Sequence, residues 1–302
     1  MWVEMRRLLL LAAAACRSPA PPADAPGPDG YVAPLTDLKF AVVGDTRPAN
    51  LDDTANYPTD IVRQIWTDVE AEGVPFAVTT GDYMFASATT GTQVDPQLDL
   101  YLGARAAYSG TVYPAMGNHE CNGYTASNCG PGGKDGNPQN YTEFMTRMIM
   151  PLGEVHPFYA ERFAAPDGSW TAKFVFIAGN AWSDLQASWL DKVLAEPTTY
   201  TFAVRHEPHY SNTAPGVDPS TAILAKHPLT MLITGHTHSY SHVPAWREII
   251  VGNGGAPLTS STNYGYVIIA RQPDGTLQTT SYDYQTHAVV EQFSVTPAGV
   301  AP

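Results

Sequence analysis

Basic residues are scarce in this chain. Its 302 residues carry 16 lysines and arginines against 29 aspartates and glutamates, a formal net charge of −13 at pH 7. Nucleic acid as a partner is excluded, because phosphate binding needs a basic footprint that is missing. A small phosphorylated substrate is not excluded, since bound metal ions can dominate the charge inside a pocket. Internal repeats are also lacking, and the composition holds steady after about residue 37. One domain over residues 37–302 is therefore expected, long enough for a substantial core. Cysteine is limited to three residues.

The leader reads as an export signal rather than as fold. Arg6 and Arg7 precede the apolar run Leu8 to Ala15, and Cys16 follows at once. The run is too short to span a bilayer. Residues 1–15 are expected to be a signal peptide. Small residues before a cysteine resemble a bacterial lipobox, which would make Cys16 the lipidated first residue of a periplasmic or cell-surface lipoprotein; ordinary signal cleavage is the alternative. Residues 16–36, rich in Pro, Ala, Gly and Asp, are expected to be a flexible tether. Cys121 and Cys129 lie in a Gly, Asn and Ser loop of an exported chain, where a disulfide is the expected pairing and two free thiols the alternative.

Taken in order, the chain alternates apolar runs with amphipathic stretches. Leu38 to Val43 predicts a buried strand ending in Gly44-Asp45-Thr46-Arg47, and Thr59 to Glu72 a helix with Ile61, Val62, Ile65, Trp66 and Val69 on one face. Pro75 to Thr80 predicts a second strand ending in Gly81-Asp82. A right-handed crossover then puts Asp45 and Asp82 on one rim of a parallel sheet. Pro96 to Tyr108 predicts a helix, and the strand Thr111 to Met116 leads to Gly117-Asn118-His119-Glu120. A polar loop over residues 122–140 precedes a helix expected from Tyr141 to Met150, where Pro151 stops it.

Thr171 to Ile177 predicts a strand, and Ser183-Asp184-Leu185-Gln186 reads as a capping box opening a helix. Strands Tyr200 to Val204 and Leu229 to Ile233 lead to His206 and to Gly235-His236-Thr237-His238. From Trp246 onward, turn chemistry at Gly252 to Gly255 and at Pro273-Asp274-Gly275 predicts antiparallel pairing. An α/β domain with two packed sheets and outer helices is expected.

Gly-Asp, Gly-Asp, Gly-Asn-His-Glu, His and Gly-His-Thr-His, in this order, resemble the calcineurin-like metallophosphoesterases over residues 38–295. The resemblance implies a four-layer α/β/β/α sandwich of two mixed sheets with a dinuclear metal centre at the strand ends. By that correspondence Asp82 bridges two ions, Asp45 and His238 serve the first, and Asn118, His206 and His236 serve the second. Oxygen and imidazole ligands without sulfur suit Fe, Mn or Zn. His119 matches the leaving-group residue, an acid poised near neutrality; Glu120 reads as a residue that orients the turn. His156, His227, His242 and His287 fall outside these blocks and read as structural.

Two positions depart from the pattern. Asp-x-His of the first block is here Asp45-Thr46-Arg47, and the tyrosine that purple acid phosphatases use three residues after the second Asp is here Phe85. Phe85 also stands where phosphoprotein phosphatases keep an Asp beside the leaving-group histidine. Arg47 reads as a planar fork for a phosphate oxygen or as a structural ion pair. His209, in a block resembling that of purple acid phosphatases, reads as a substrate contact or as a surface histidine. The expected function is hydrolysis of phosphate esters by a metal-bound hydroxide at a dinuclear centre, on monoesters or nucleotides. Phosphodiesterase action on cyclic nucleotides or lipid headgroups, and a non-catalytic metal-binding surface lipoprotein, are the alternatives.

Overall fold

The computed structural model describes residues 32–89, 93–211 and 213–302. The expected signal peptide, the lipidation at Cys16 and the tether up to residue 31 lie outside the described residues. In chain order the elements are β1 (Ala33–Pro34), β2 (Lys39–Val43), α1 (Thr59–Ala71), β3 (Phe76–Thr79), α2 (Val94–Arg105), β4 (Thr111–Pro114) and α3 (Gln139–Phe144). Next come β5 (Tyr159–Ala164), β6 (Thr171–Ile177), α4 (Asp184–Ala195), β7 (Tyr200–Arg205), α5 (Val217–Leu224) and β8 (Met231–Thr234). The chain closes with β9 (Tyr240–Val243), β10 (Glu248–Val251), β11 (Gly265–Arg271), β12 (Leu277–Asp283) and β13 (Val289–Val295).

The strands form two mixed sheets, ordered β1-β5-β6-β7-β8-β10-β9 and β13-β12-β11-β2-β3-β4. Aromatic rings knit their inner faces together. Phe40 and Phe76 of one sheet meet Phe163, Phe174 and Phe202 of the other, with ring centroids between 4.6 and 5.2 Å apart across the layer. Such pairs favour edge and offset geometries beyond simple area burial. The outer layers are helical. Helix α1 buries Val62, Ile65, Trp66 and Val69, the face its periodicity predicts, and Trp66 stacks on Tyr108. On the opposite side Leu190, Val193 and Leu194 of α4 pack with Val175, Ile177 and Ala203. The expected sandwich of two sheets with flanking helices is therefore present.

Several local expectations need correction. Ala33–Pro34 falls in the stretch read as tether, yet pairs with Phe163–Ala164 as an edge strand. Helix α2 starts and ends earlier than expected, with its last turn closing at Ala106. The helix expected over 141–150 is instead α3, a wide π turn at Met145–Ile149 and a tight 3-10 turn at Met150–Leu152. Pro151 has no N–H and its ring crowds the preceding turn, so the ladder changes pitch before it ends. Ser183 does cap α4, accepting from the Gln186 N–H at 3.2 Å. Gln186 does not reciprocate; its carboxamide binds Ala178 and Ala181 backbone instead, fastening the exit of β6. After Trp246 the meander β11-β12-β13 is antiparallel as expected, but β10 runs parallel to β8.

Candidate metal centre

Every expected ligand sits just beyond the carboxyl end of a strand: Asp45 after β2, Asp82 after β3, Asn118 after β4, His206 after β7, His236 and His238 after β8. The chain must turn sharply there. Asp45 (φ 55°), Asp82 (φ 59°), His236 (φ 70°) and His238 (φ 47°) all hold left-handed backbone. That region is costly for residues with a Cβ and concentrates at functional sites. Close approach fixes two glycines: a Cβ on Gly117 would lie 2.4 Å from Asp82 Oδ1, and one on Gly235 2.4 Å from Asp45 Oδ2. Gly252 to Gly255, expected as a hairpin turn, instead line this floor. The Gly254 N–H donates to Gly44 O and the Ala256 N–H to Asp45 O, both at 2.8 Å.

One corner gathers Asp82, Asn118, His206 and His236. His206 Nε2 lies 3.2 Å from Asp82 Oδ1 and 3.1 Å from Asn118 Oδ1. His236 Nδ1 lies 3.2 Å from the same amide oxygen and 3.1 Å from His206 Nε2. The outward-facing atoms are committed elsewhere. His206 Nδ1 donates to Thr80 O at 2.7 Å, and Asn118 Nδ2 to Gly123 O at 2.8 Å. What converges is a carboxylate oxygen, an amide oxygen and two imidazole nitrogens, nearly all buried. Such a donor set fits a borderline cation.

Electrostatics agree. Burial pushes the His206 pKa down, yet the charge and hydrogen bond of Asp82, with Asp45 behind it, hold it well above the ordinary range. For Asp82 burial pushes up, but His206, His119 and Arg47 together hold it well below. Asp82 and His206 thus form a charge pair, and a metal ion would take the place of the His206 proton.

A second group shares Asp82 and adds Asp45 and His238. His238 Nδ1 donates to Pro257 O at 2.9 Å, which leaves Nε2 to accept. It lies 3.7 Å from Asp45 Oδ1, a buried oxygen with no hydrogen bond. Arg47 enters this group. Its Nη2 donates to His238 Nε2 at 3.3 Å, and its Nε lies 3.6 Å from Asp82 Oδ2.

His119 borders both corners, with Nε2 at 3.7 Å from Asp82 Oδ2. Phe85 stands edge-on to its ring at 4.6 Å, and the buried Nδ1 has no partner. Burial pushes the imidazole down to about 3, against the pull of Asp82. The near-neutral acid expected from sequence is therefore not what this pocket makes by itself. Glu120 does orient the turn: its carboxylate accepts from the N–H groups of Asp82, Tyr83 and Gly117 at 2.8 to 2.9 Å.

Residues 38–240 match the family of calcineurin-like phosphoesterases. The chain belongs to the calcineurin-like phosphoesterases. Comparison with curated protein sequences gave no match. Among solved structures, a purple acid phosphatase from yellow lupin (Lupinus luteus) is similar at a TM-score of 0.63 and 13% identity, over 90% of this chain and 57% of its own. The chain thus spans little more than half of that enzyme. A dimetal phosphatase from Danio rerio aligns at TM-score 0.59 and 15% identity, over 87% of this chain and 99% of its own. A 5'-nucleotidase from Candida albicans aligns at TM-score 0.50 and 11% identity, over 85% and 54%. At such identities these likenesses speak to fold.

This phosphoesterase is a metal-binding hydrolase by family, and it offers candidate ligands at two corners where the family typically binds two metals. The contacts of His209 are Glu248, whose Oε2 lies 2.5 Å from Nδ1, stacked Trp246 and edge-on Tyr210. The four histidines set aside from sequence have local partners: Asp191 for His227, Glu291 and Phe293 for His242, Asp68 for His287, and Phe158 for His156. Cys121 and Cys129 are joined, closing the loop whose Gly123 carbonyl orients Asn118. The carbonyls of Thr80, Gly123 and Pro257, which aim the ligands, escape a reading of the sequence. A carbonyl has no sequence signal; only its position beside a ligand loop would point to it.

Proposed function

We propose that this phosphoesterase hydrolyses small phosphate monoesters, nucleotides included, at the rim formed by Asp82, Asn118, His206 and His236. The convergence of a carboxylate oxygen, an amide oxygen and two imidazole nitrogens on one point carries this reading. A bound Fe, Mn or Zn ion would supply Lewis acidity and an activated water there. The chain's own residues do the rest. Arg47 presents guanidinium N–H groups beside the corner and binds a phosphate oxygen, which suits a dianionic monoester with several terminal oxygens. His119 donates an N–H to the leaving oxygen, and a bound phosphate's charge favours its protonated form. Asp45 and His238 add a cation site only to the extent that a metal displaces Arg47. The disulfide supports work in an oxidising, extracytosolic compartment.

The test is purified protein reconstituted with Mn, Fe or Zn and assayed on a panel of mono- and diesters. Monoester turnover that disappears in Asp82→Asn supports the reading. Metal binding without turnover of any ester would leave the chain as a metal-binding module, and diester-only turnover would replace the monoester assignment.

A further inference from the structure

The two residues that break the family pattern touch each other. Arg47 stands where the first block has its histidine, and Phe85 where purple acid phosphatases have their tyrosine. In the fold the Arg47 guanidinium carbon lies 4.6 Å from the Phe85 ring centroid, over the ring face. Such a contact anchors a cation on an aromatic quadrupole. Nη1 donates to Pro48 O at 3.0 Å, and the side chain is only 14% exposed. The guanidinium is therefore held from behind and from one side, not left on a swinging stem.

Its remaining groups face the first corner. Nη2 takes the lone pair of His238 Nε2, and Nε, buried without a hydrogen bond, points toward Asp82 Oδ2. These are the atoms a first metal ion would need. A divalent ion there would compete with an N–H for His238, sit against a full positive charge, and have only Asp45 as an uncontested ligand. Neither of the family's ways of completing this site is present at position 47 or 85. At the other corner, among the described residues, no arginine or lysine pairs with Asn118, His206 or His236, and Asp82 Oδ1, Asn118 Oδ1, His206 Nε2 and His236 Nδ1 converge at 3.1 to 3.2 Å.

We propose that Arg47, seated on Phe85, takes the place of the first metal ion, so that this chain holds a single tightly bound ion at Asp82, Asn118, His206 and His236. The inference rests on the phosphoesterase reading of that corner. It makes Arg47 a fixed charge that cannot dissociate, and it makes the centre insensitive to loss of a weakly held second ion.

Metal content tests it. Purified protein is loaded with excess Mn²⁺, dialysed, and its metal measured by mass spectrometry, alongside Arg47→His, which restores Asp-x-His, and Arg47→Ala, with circular dichroism as the folding control. The expected result is about one ion per chain for the wild type and about two for Arg47→His. Arg47→Ala is expected to gain a second, weaker site in calorimetric titration. Two ions of comparable affinity in the wild type would overturn the inference and leave the phosphoesterase reading intact. A single ion in all three folded proteins would show that Arg47 does not decide occupancy, and would overturn it equally. No retained ion in the wild type would defeat the metal reading itself.

Discussion

The two corners of the centre share Asp82 and differ in what faces it. At one, an amide oxygen and two imidazole nitrogens converge, with outer atoms of His206 and Asn118 tied to backbone carbonyls. At the other, an arginine has already claimed the histidine. The difference teaches that ligand identity alone does not make a metal site. Asp45 and His238 are the expected residue types at the expected strand ends, yet one neighbouring cation changes what they can hold. Asp45 itself shows the tension: burial, offset in part by His206, holds its carboxyl well above the usual range.

The sharpest way to break the comparison is at the shared residue. Asp82→Asn removes a charged ligand from both corners, and kcat/KM is expected to fall on the order of 10³-fold or more, with metal content falling in parallel. If metal content stays and only the rate falls, Asp82 serves the chemistry and not the ion. His119→Ala separates chemistry from metal in the other direction. Turnover of an alkyl phosphate is expected to fall roughly 10²- to 10³-fold, that of p-nitrophenyl phosphate less, with metal content unchanged. Equal losses on both substrates would remove His119 from leaving-group protonation.

A subtler contrast compares the corners directly. Asn118→Ala is expected to weaken the retained ion about 10- to 100-fold, whereas Asp45→Asn, which keeps an oxygen for the His236 N–H, is expected to change it by less than about threefold. Calorimetric titration of both variants checks this, and a reversed order would mean that the corners have been ranked wrongly.

The smallest effect expected lies outside both corners and serves as a control. Burial, with Glu154 nearby, pushes Glu161 of β5 up to about 7 from an ordinary 4.5. Between those values the folded protein holds a proton that the unfolded chain has released, so this group costs stability as pH rises through the window. Glu161→Gln is expected to raise Tm by a few degrees at pH 8, roughly 1–2 kcal/mol after allowance for partial exposure, and to leave it unchanged at pH 4. Metal affinity should not move.

Much of the fold and of the centre is legible in the sequence because a buried strand announces itself as an apolar run, and the residues just past its end lie at the rim. Val43 to Asp45, Thr79 to Asp82 and Ile233 to His236 all read that way. Strand β5 is not legible, because Glu161 and Arg162 interrupt its apolar pattern at a sheet position only partly buried. Lys173 sits inside a predicted strand as an apparent blemish; it is fully buried and donates to the carbonyls of Val193 and Glu196, closing the end of α4. The departures at positions 47 and 85 are visible one by one. That they touch is not, since no local pattern links residues on two different strand exits.

The asymmetry of the centre is tested most directly by electron paramagnetic resonance of the dialysed, Mn²⁺-loaded wild type at low temperature. An isolated Mn²⁺ signal that persists on further loading is the expected result, with an exchange-coupled pair emerging only in Arg47→His. A coupled pair in the wild type would contradict the account.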